Sequence, residues 1–447
     1  MTVTQPRLGL IGRVNRRRTQ ESGDDRLVRS SFFLMATAGA MAGLGFGFSI
    51  AIARVFNPSE VGAGTSLIAA TTLIAFLGPL GLDGTVVRFT MQAKNYNAQL
   101  TQALLVAGGL GLVLSAAYVV LVPLYAPELS FVRANWVCAF CFVIAGAAAS
   151  ANQLTDAVFL GARKPEYNLL LNGFVQGTTK VVVPFALVGI GAFGVFGAVG
   201  AGYVVALVAS VVCLRRILGF RFEFGRKNSI SKEQRWYSLS SYISNSLNFA
   251  PGMALPLITL HTLGSASAAY FYLAFQVANT VNGISHAVGQ ALFAEGSSNE
   301  SQLLILSKRA AVLQATLQVA AIVVAVVGAP LILSAFGPEY ATNGQGVLRI
   351  LAVAAIPVAI GTLATYMLKV LQMMKSLIAA NVLFAVTTVW LAQLWGRRGL
   401  EWFGWAWLVG QVAMAIFAVT ALVVHYRRTR GADRDPRPDS QVVEAVI

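Results

Sequence analysis

Apolar runs of membrane-crossing length recur along the whole chain. They lie near residues 31–53, 62–82, 98–122, 134–155, 168–190, 192–214, 237–260, 266–292, 310–335, 344–368, 376–395 and 402–425. A helix needs about 20 apolar residues to cross the hydrocarbon core, so each run fits one span. The outer connections between them are around ten residues or fewer. The pattern predicts an all-α integral membrane protein of about 12 transmembrane helices.

Composition strengthens that prediction. Hydrophobic residues are 56% of the 447 and charged residues 11%, about half the charge of a soluble chain. A soluble protein is excluded. The 42 glycines suit closely packed membrane helices. The formal net charge of +15 would suggest nucleic acid as a partner in a soluble chain, but its distribution argues for orientation in a bilayer. With the N-terminus in the cytoplasm, 27 Lys and Arg fall on the inner side and only Arg54, Arg133, Arg397 and Arg398 on the outer side. The positive-inside rule then predicts cytoplasmic N- and C-termini.

Three other signals carry less. The basic head followed by Ala36-Thr37-Ala38 has the look of a signal peptide. The apolar run continues past it, however, so an uncleaved first span is expected. Cys138 and Cys141 have a redox spacing but lie within an apolar run, with only Cys213 elsewhere. His261, His286 and His425 are too scattered to suggest a metal site. No metal or cofactor is expected.

The two halves resemble each other. Pro127-Glu128 answers Pro338-Glu339 at an offset of 211 residues, and Val158 to Lys164 answers Lys369 to Lys375 at the same offset. Phe196-Gly197 answers Phe403-Gly404, and Arg215-Arg216 answers Arg427-Arg428. Six spans per half, an even number, keep both halves in the same orientation, as in a parallel repeat about an axis along the membrane normal. The expected division is a basic cytoplasmic segment 1–30, an N-lobe 31–214 with helices 1–6 and a basic linker 215–236. A C-lobe 237–425 with helices 7–12 follows, then a polar tail 426–447 expected to be disordered.

The stretch Ala53-Arg54-Val-Phe-Asn57-Pro58-Ser-Glu60-Val-Gly62, with Leu80-Gly81-Leu-Asp83-Gly84-Thr-Val-Val-Arg88-Phe89 after the next span, resembles the first two helices of the polysaccharide exporters. These are the oligosaccharide flippases of the multidrug/oligosaccharidyl-lipid/polysaccharide (MOP) superfamily. Leu263-Gly264 with Ala268 to Ala274, and the glycines 191, 194, 197 and 200, are similar to the same family. The resemblance implies a MATE-like fold with two six-helix pseudo-symmetric lobes around a cavity largely lined by helices 1, 2, 7 and 8. It further implies a bacterial cytoplasmic membrane location. The implied activity is alternating-access transfer of a polyprenyl-pyrophosphate-linked glycan from the inner to the outer leaflet. Membrane lipids and glycan-assembly enzymes are the other partners it suggests; nucleic acid is not expected.

Polar groups inside the spans mark candidate site residues, because hydrocarbon tolerates them only at a cost. Asn172, Gln176 and Lys180 recur at i, i+4 spacing in helix 5. Ser238, Ser241, Asn245 and Asn248 share a face of helix 7, and Tyr272, Gln276, Asn279, His286 and Gln290 follow helix 8. Such stripes suit a hydrated cavity, although Ser and Asn also join helices to one another, each contact worth about 0.6 kcal/mol. A buried pyrophosphate needs fixed positive charge, which makes Lys180, Arg88 and Arg349 the candidate cations. Arg88 also fits an inner-mouth anchor, Arg349 also fits an interfacial side chain, and Lys180 also fits a structural pair with an acid. Asp83 and Asp156 are candidates for ion coupling. Pro251 and Pro256 in helix 7 are candidate hinges, with Pro79, Pro184 and Pro357 interrupting helices 2, 5 and 10.

Two other functions compete with flipping. A cation-coupled multidrug exporter of the same fold needs an embedded carboxylate, and none lies mid-span in helix 1 or 7. A membrane enzyme of glycan assembly needs a sizeable outer loop or a nucleophile–base or metal cluster, and the sequence offers none of these. No enzymatic activity is expected.

Overall fold

A computed structural model describes residues 39–83, 86, 95–162, 164, 166–223, 232–298 and 303–432. Arg88 and the basic segment 1–30 lie outside the described residues, as do the side chains of Ser238, Ser241 and Asn245. Helix α1 spans Gly39–Val55, α2 Pro58–Leu77, α3 Tyr96–Tyr125 and α4 Trp136–Gly161. Helix α5 is composite: a turn at Glu166–Asn168, a π-helical segment Leu169–Gln176 and an α-helical segment Gly177–Ala186. Then come α6 at Ala192–Leu218, α7 at Lys232–Leu263 and α8 at Ser265–Ser298. The last four are α9 at Leu303–Val327, α10 at Pro338–Val370, α11 at Met374–Trp395 and α12 at Glu401–Ala432.

Eight of these helices, α2, α3, α4, α6 and α9 to α12, are long and apolar enough to cross a membrane. The chain is a multi-pass membrane protein. Helices α5, α7 and α8, which fall outside that set, are those bearing the polar stripes. The π segment interrupts α5, and the length of α7 and α8 is offset by their Ser, Asn and Gln content.

Local chemistry explains where the helices begin and end. The Asn57 side chain accepts the Glu60 backbone N–H at 2.9 Å, while the Glu60 carboxylate accepts the Asn57 N–H at 3.1 Å. With Pro58 at the first helical position, this capping box starts α2. Gly62 follows because α8 crosses there: a Cβ at this position would lie 1.6 Å from the Ser265 carbonyl oxygen. The motif that carries the family resemblance is therefore a helix start and a helix–helix contact.

Several sequence expectations change. Pro79 does not kink α2, which ends at Leu77; Pro79 stands in the turn that follows, next to Leu80 at φ 49°. Proline has no N–H to donate and crowds the carbonyl four residues back, so the helix stops before it. Pro184 lies in the last turn of α5, which ends at Ala186 instead of continuing to 190. Helix α7 runs through Pro251 and Pro256 without a break, and α10 does so through Pro357. The linker expected at 215–236 is shortened from both sides, since α6 continues to Leu218 and α7 starts at Lys232. Arg215 and Arg216 stand in the last turn of α6, where cations complement the helix dipole.

The pairwise packing repeats with a shift of six helices. Contacts α2–α4, α3–α4, α4–α6 and α5–α6 recur as α8–α10, α9–α10, α10–α12 and α11–α12. Leu44 of α1 sits against Gly177 of α5, and α7 lies on α11 in the same way. Two six-helix lobes result, meeting along α2 with α7 and α8. At the Arg54 end of the bundle the lobes are clasped. Arg54 Nε and Nη2 donate to the Ala335 and Ser334 carbonyls, each at 3.0 Å, and Phe46 meets Phe336 edge-on at 5.2 Å. Farther along, Phe76 of α2 stacks on Phe249 of α7 at 5.0 Å, and the Tyr242 hydroxyl donates to the Leu77 carbonyl at 3.3 Å.

Candidate functional site

Lys180 projects from α5 into the N-lobe, with its stem against Gly202 of α6. Its ammonium donates to Gln176 Oε1 at 2.9 Å and stands 4.9 Å from the centre of the Tyr203 ring. Both partners are neutral, and among the described residues no carboxylate pairs with it. A structural pairing with an acid is therefore not found among the described residues. Tyr203 in turn neighbours Thr72 of α2 and Tyr272 of α8, which brings the cation to the seam between the lobes.

Asn172 turns the other way. Its side-chain N–H donates to the Asp156 carboxylate, and its carbonyl accepts from Asn152 at 3.0 Å. Asn168 donates to the Asp156 backbone carbonyl at 3.3 Å. Three side chains of α5 thus serve different ends, with Asn168 and Asn172 tying the π segment to α4 and Gln176 holding Lys180. A π turn is an uncommon feature that often marks functional sites; here it sits beside the one mid-helix ammonium of α5.

A second polar region is the interior of the C-lobe. A cavity of about 270 Å³ is lined by α7, α8, α10 and α12, including Asn248, Asn279, Asn282, His286 and Gln411. Its apolar walls include Phe249, Phe275 and Trp407. A neighbouring cavity of about 150 Å³ shares Asn248, Phe249, His286 and Thr362 and adds Tyr366, Lys369 and Asn381. Asn248 donates to Asn381 at 3.2 Å. A third, more apolar cleft of about 530 Å³ lies between α2, α7 and α11, with Leu73, Leu257, Ile258 and His261 along it and Arg397 at one end.

The remaining candidates scatter. Gln276 is half-buried and faces Gly45 of α1 across the seam, and Asn279 is exposed at the rim of the C-lobe cavity. Arg349 is exposed and donates to the Val326 carbonyl at 3.3 Å. It sits against the end of α9 and joins neither polar cluster, because its face of α10 turns away from the seam. Asp83 is helical, two residues past the turn that follows α2, and outside both clusters. Tyr203, Asn152, Asn282, Gln411 and Trp407 escaped the sequence reading. Asn152 is four residues before Asp156, and Asn282 falls between Asn279 and His286 at helical spacing, both legible; Trp407 and Gln411 are four apart on α12 within a run apolar almost all round, and Tyr203 stands on α6 away from any stripe. Among the described residues no group of His, Cys, Asp and Glu is arranged to hold a metal.

The chain shares its fold with solved MurJ and MATE transporter structures. The chain superimposes on the lipid II flippase MurJ in an inward closed conformation with a TM-score of 0.67 at 11% identity, covering 88% of this chain and 87% of that one. An outward-facing multidrug resistance MATE family transporter of the MOP superfamily gives 0.63 at 15% identity, covering 92% and 97%. A MOP superfamily transporter from Pyrococcus furiosus, described as having a binding pocket of reversed polarity, gives 0.58 at 14%, covering 92% and 96%. No curated protein sequence matches significantly. The model of the polysaccharide biosynthesis protein family matches residues 27–293, and the chain belongs to that family.

Proposed function

We propose that this protein carries a polyprenyl-pyrophosphate-linked oligosaccharide from the inner to the outer leaflet of a bacterial cytoplasmic membrane by alternating access of its two lobes. The observation that carries the proposal is Lys180, an ammonium among membrane-spanning helices that is held by a carboxamide and an aromatic ring, with no carboxylate partner among the described residues. A charge at the bilayer centre costs about 2.5–3.5 kcal/mol on insertion scales, so an unneutralised one calls for an anionic visitor. A pyrophosphate supplies that charge and accepts charge-assisted hydrogen bonds. Membership of a polysaccharide biosynthesis family supports the glycan as cargo. The apolar cleft between α2, α7 and α11 offers the prenyl chain a route beside the bundle.

In this reading the Arg54 clasp closes the outer side, and the termini are cytoplasmic. The test is mass spectrometry of lipid-linked glycans in cells lacking the protein, with Lys180→Ala cells alongside. A completed polyprenyl-pyrophosphate glycan is expected to accumulate in both. Accumulation in the deletion alone removes Lys180 from the path. An unchanged lipid pool with new sensitivity to cationic dyes replaces the reading with drug export.

A further inference from the structure

A second lysine is seated in the C-lobe, in the last turn of α10. The Lys369 ammonium stands 4.7 Å from the centre of the Tyr366 ring, one turn earlier on the same helix. That ring is itself fixed. A Cβ at Gly289 of α8 would lie 2.3 Å from Tyr366 Cδ2, so the missing side chain is the notch that receives the tyrosine. Gln290 hydrogen-bonds the Tyr366 hydroxyl, and Phe293 lies beside the ring at 6.3 Å between centres. Lys369 and His286 of α8 both line the cavity of about 150 Å³. Among the described residues neither has a hydrogen bond or a carboxylate beside it, and no Asp or Glu lines this cavity or its larger neighbour. The arrangement matches that of Lys180, which also stands over a tyrosine ring with a glutamine and a glycine next to it. The helices differ, α8 and α10 against α5 and α6, so the six-helix repeat did not copy it. A lysine that only oriented the chain would extend into water, as the exposed Lys375 does; Lys369 is half-buried on its ring.

We propose that Lys369 and His286 form a docking site for the phosphate groups of the lipid-linked glycan, an entry station occupied before Lys180. It rests on the reading of the protein as a glycan flippase and gives each lobe one cation for the cargo. An ammonium and an imidazole supply donors only where acceptors are wanted, and phosphate oxygens accept charge-assisted bonds from both. Position fits entry. Helix α10 starts at Pro338, just after the carbonyls that Arg54 holds, and runs to Val370. At 1.5 Å per residue Lys369 is therefore about 45 Å from that clasp, at the opposite end of the bundle. With the clasp outside, this is the side from which the cargo is taken. Lys308, Arg309 and Lys375 are exposed at the same end, where α9 begins against Val370, and such a field draws anions inward. The cavity also adjoins the seam: Phe249, one of its lining residues, stacks on Phe76 of α2. Separation of α2 from α7 opens the way from Lys369 to the seam on which Lys180 stands.

The test is equilibrium binding of radiolabelled farnesyl pyrophosphate, a short prenyl pyrophosphate, to the purified full chain in detergent. The Lys180→Met chain serves as background, so that only the second station is read. It is expected to bind the probe. Adding Lys369→Met is expected to weaken binding about tenfold or more, and Lys369→Arg to recover most of the loss. His286→Gln, which leaves Lys369 in place, is expected to cost about threefold and decides the matter should Lys369→Met fail to fold. Lys375→Met, an exposed cation at the same end, should bind as the background does. No binding by the Lys180→Met chain, or binding untouched by Lys369→Met and His286→Gln, overturns the site. An equal loss in Lys375→Met overturns it in favour of general surface charge. Competition by phosphatidylglycerol as strong as that by inorganic pyrophosphate overturns it in favour of an ordinary lipid headgroup. Failure of the flippase reading shows separately, as unchanged lipid-linked glycan in deletion cells.

Discussion

Replacing Lys180 by methionine separates a transport role from a structural one. In the folded protein the ammonium has one hydrogen bond to Gln176 and one ring contact with Tyr203. A hydrogen bond to a charged group contributes about 1.5–3 kcal/mol, and a cation over an aromatic face about 0.5–2 kcal/mol. Against these stands the ~2.5–3.5 kcal/mol cost of a charge within the membrane. The terms nearly cancel, and methionine keeps most of the stem that packs on Gly202. Lys180→Met is therefore expected to stay within about 2.5 kcal/mol of the parent in stability, the span set by the same three magnitudes. Substrate handling falls separately, because a charge-assisted bond to phosphate contributes about 1.5–3 kcal/mol, or roughly 10- to 150-fold in affinity. Lys180→Arg keeps the charge and is expected to restore part of the flux. The assays are thermal unfolding in detergent and the accumulation of lipid-linked glycan in cells. A Met variant that unfolds many degrees early while its glycan pool stays normal would show that Lys180 serves the fold and that the cavity reading is mistaken.

Three further outcomes are expected. Gly62→Ala places a Cβ 1.6 Å from the Ser265 carbonyl, forcing α2 and α8 apart at their contact; a loss of about 1–3 kcal/mol or more should appear as a lowered Tm, and an unchanged Tm contradicts the close approach. Pro251→Ala combined with Pro256→Ala restores two donors within α7 and should slow glycan transfer without impairing membrane insertion, whereas undiminished flux removes the hinge. Asp156→Asn retains an oxygen for the Asn172 donor but no titratable proton, so stability should hold while any dependence of flux on a proton or sodium gradient disappears. Persistence of that dependence excludes Asp156 as the coupling group.

The candidate site was legible in proportion to how local its signals are. Lys180 stands out in any reading, because a lone charge within an apolar run is visible without knowing its neighbours. Its partner Gln176 follows from helical spacing, but Tyr203 does not, since α6 brings it from another part of the chain. Arg349 stands apart from both clusters for a related reason. Position along a helix is read from sequence, whereas the direction of its face depends on the neighbour, and α10 presents Arg349 to α9. The C-lobe cavity was half visible: Asn248 and Asn279 lay on recognised stripes, while Gln411 and Trp407 belong to a helix whose pattern is apolar almost all round.

The sequence by itself determined the membrane class, the order of the helices and their sixfold-shifted repeat. Hydrocarbon imposes a minimum apolar length on every span, and that demand is written locally, residue after residue. It also contained the helix start at Asn57 to Glu60, a capping interaction closed within four residues. Tertiary structure decided what crosses between distant segments: the clasp of Arg54 on Ser334 and Ala335, the approach of Gly62 to Ser265, and the meeting of four helices around the C-lobe cavity. Those contacts depend on the relative rotation and depth of packed helices, set by side-chain fit over whole interfaces, and no window of neighbouring residues encodes them.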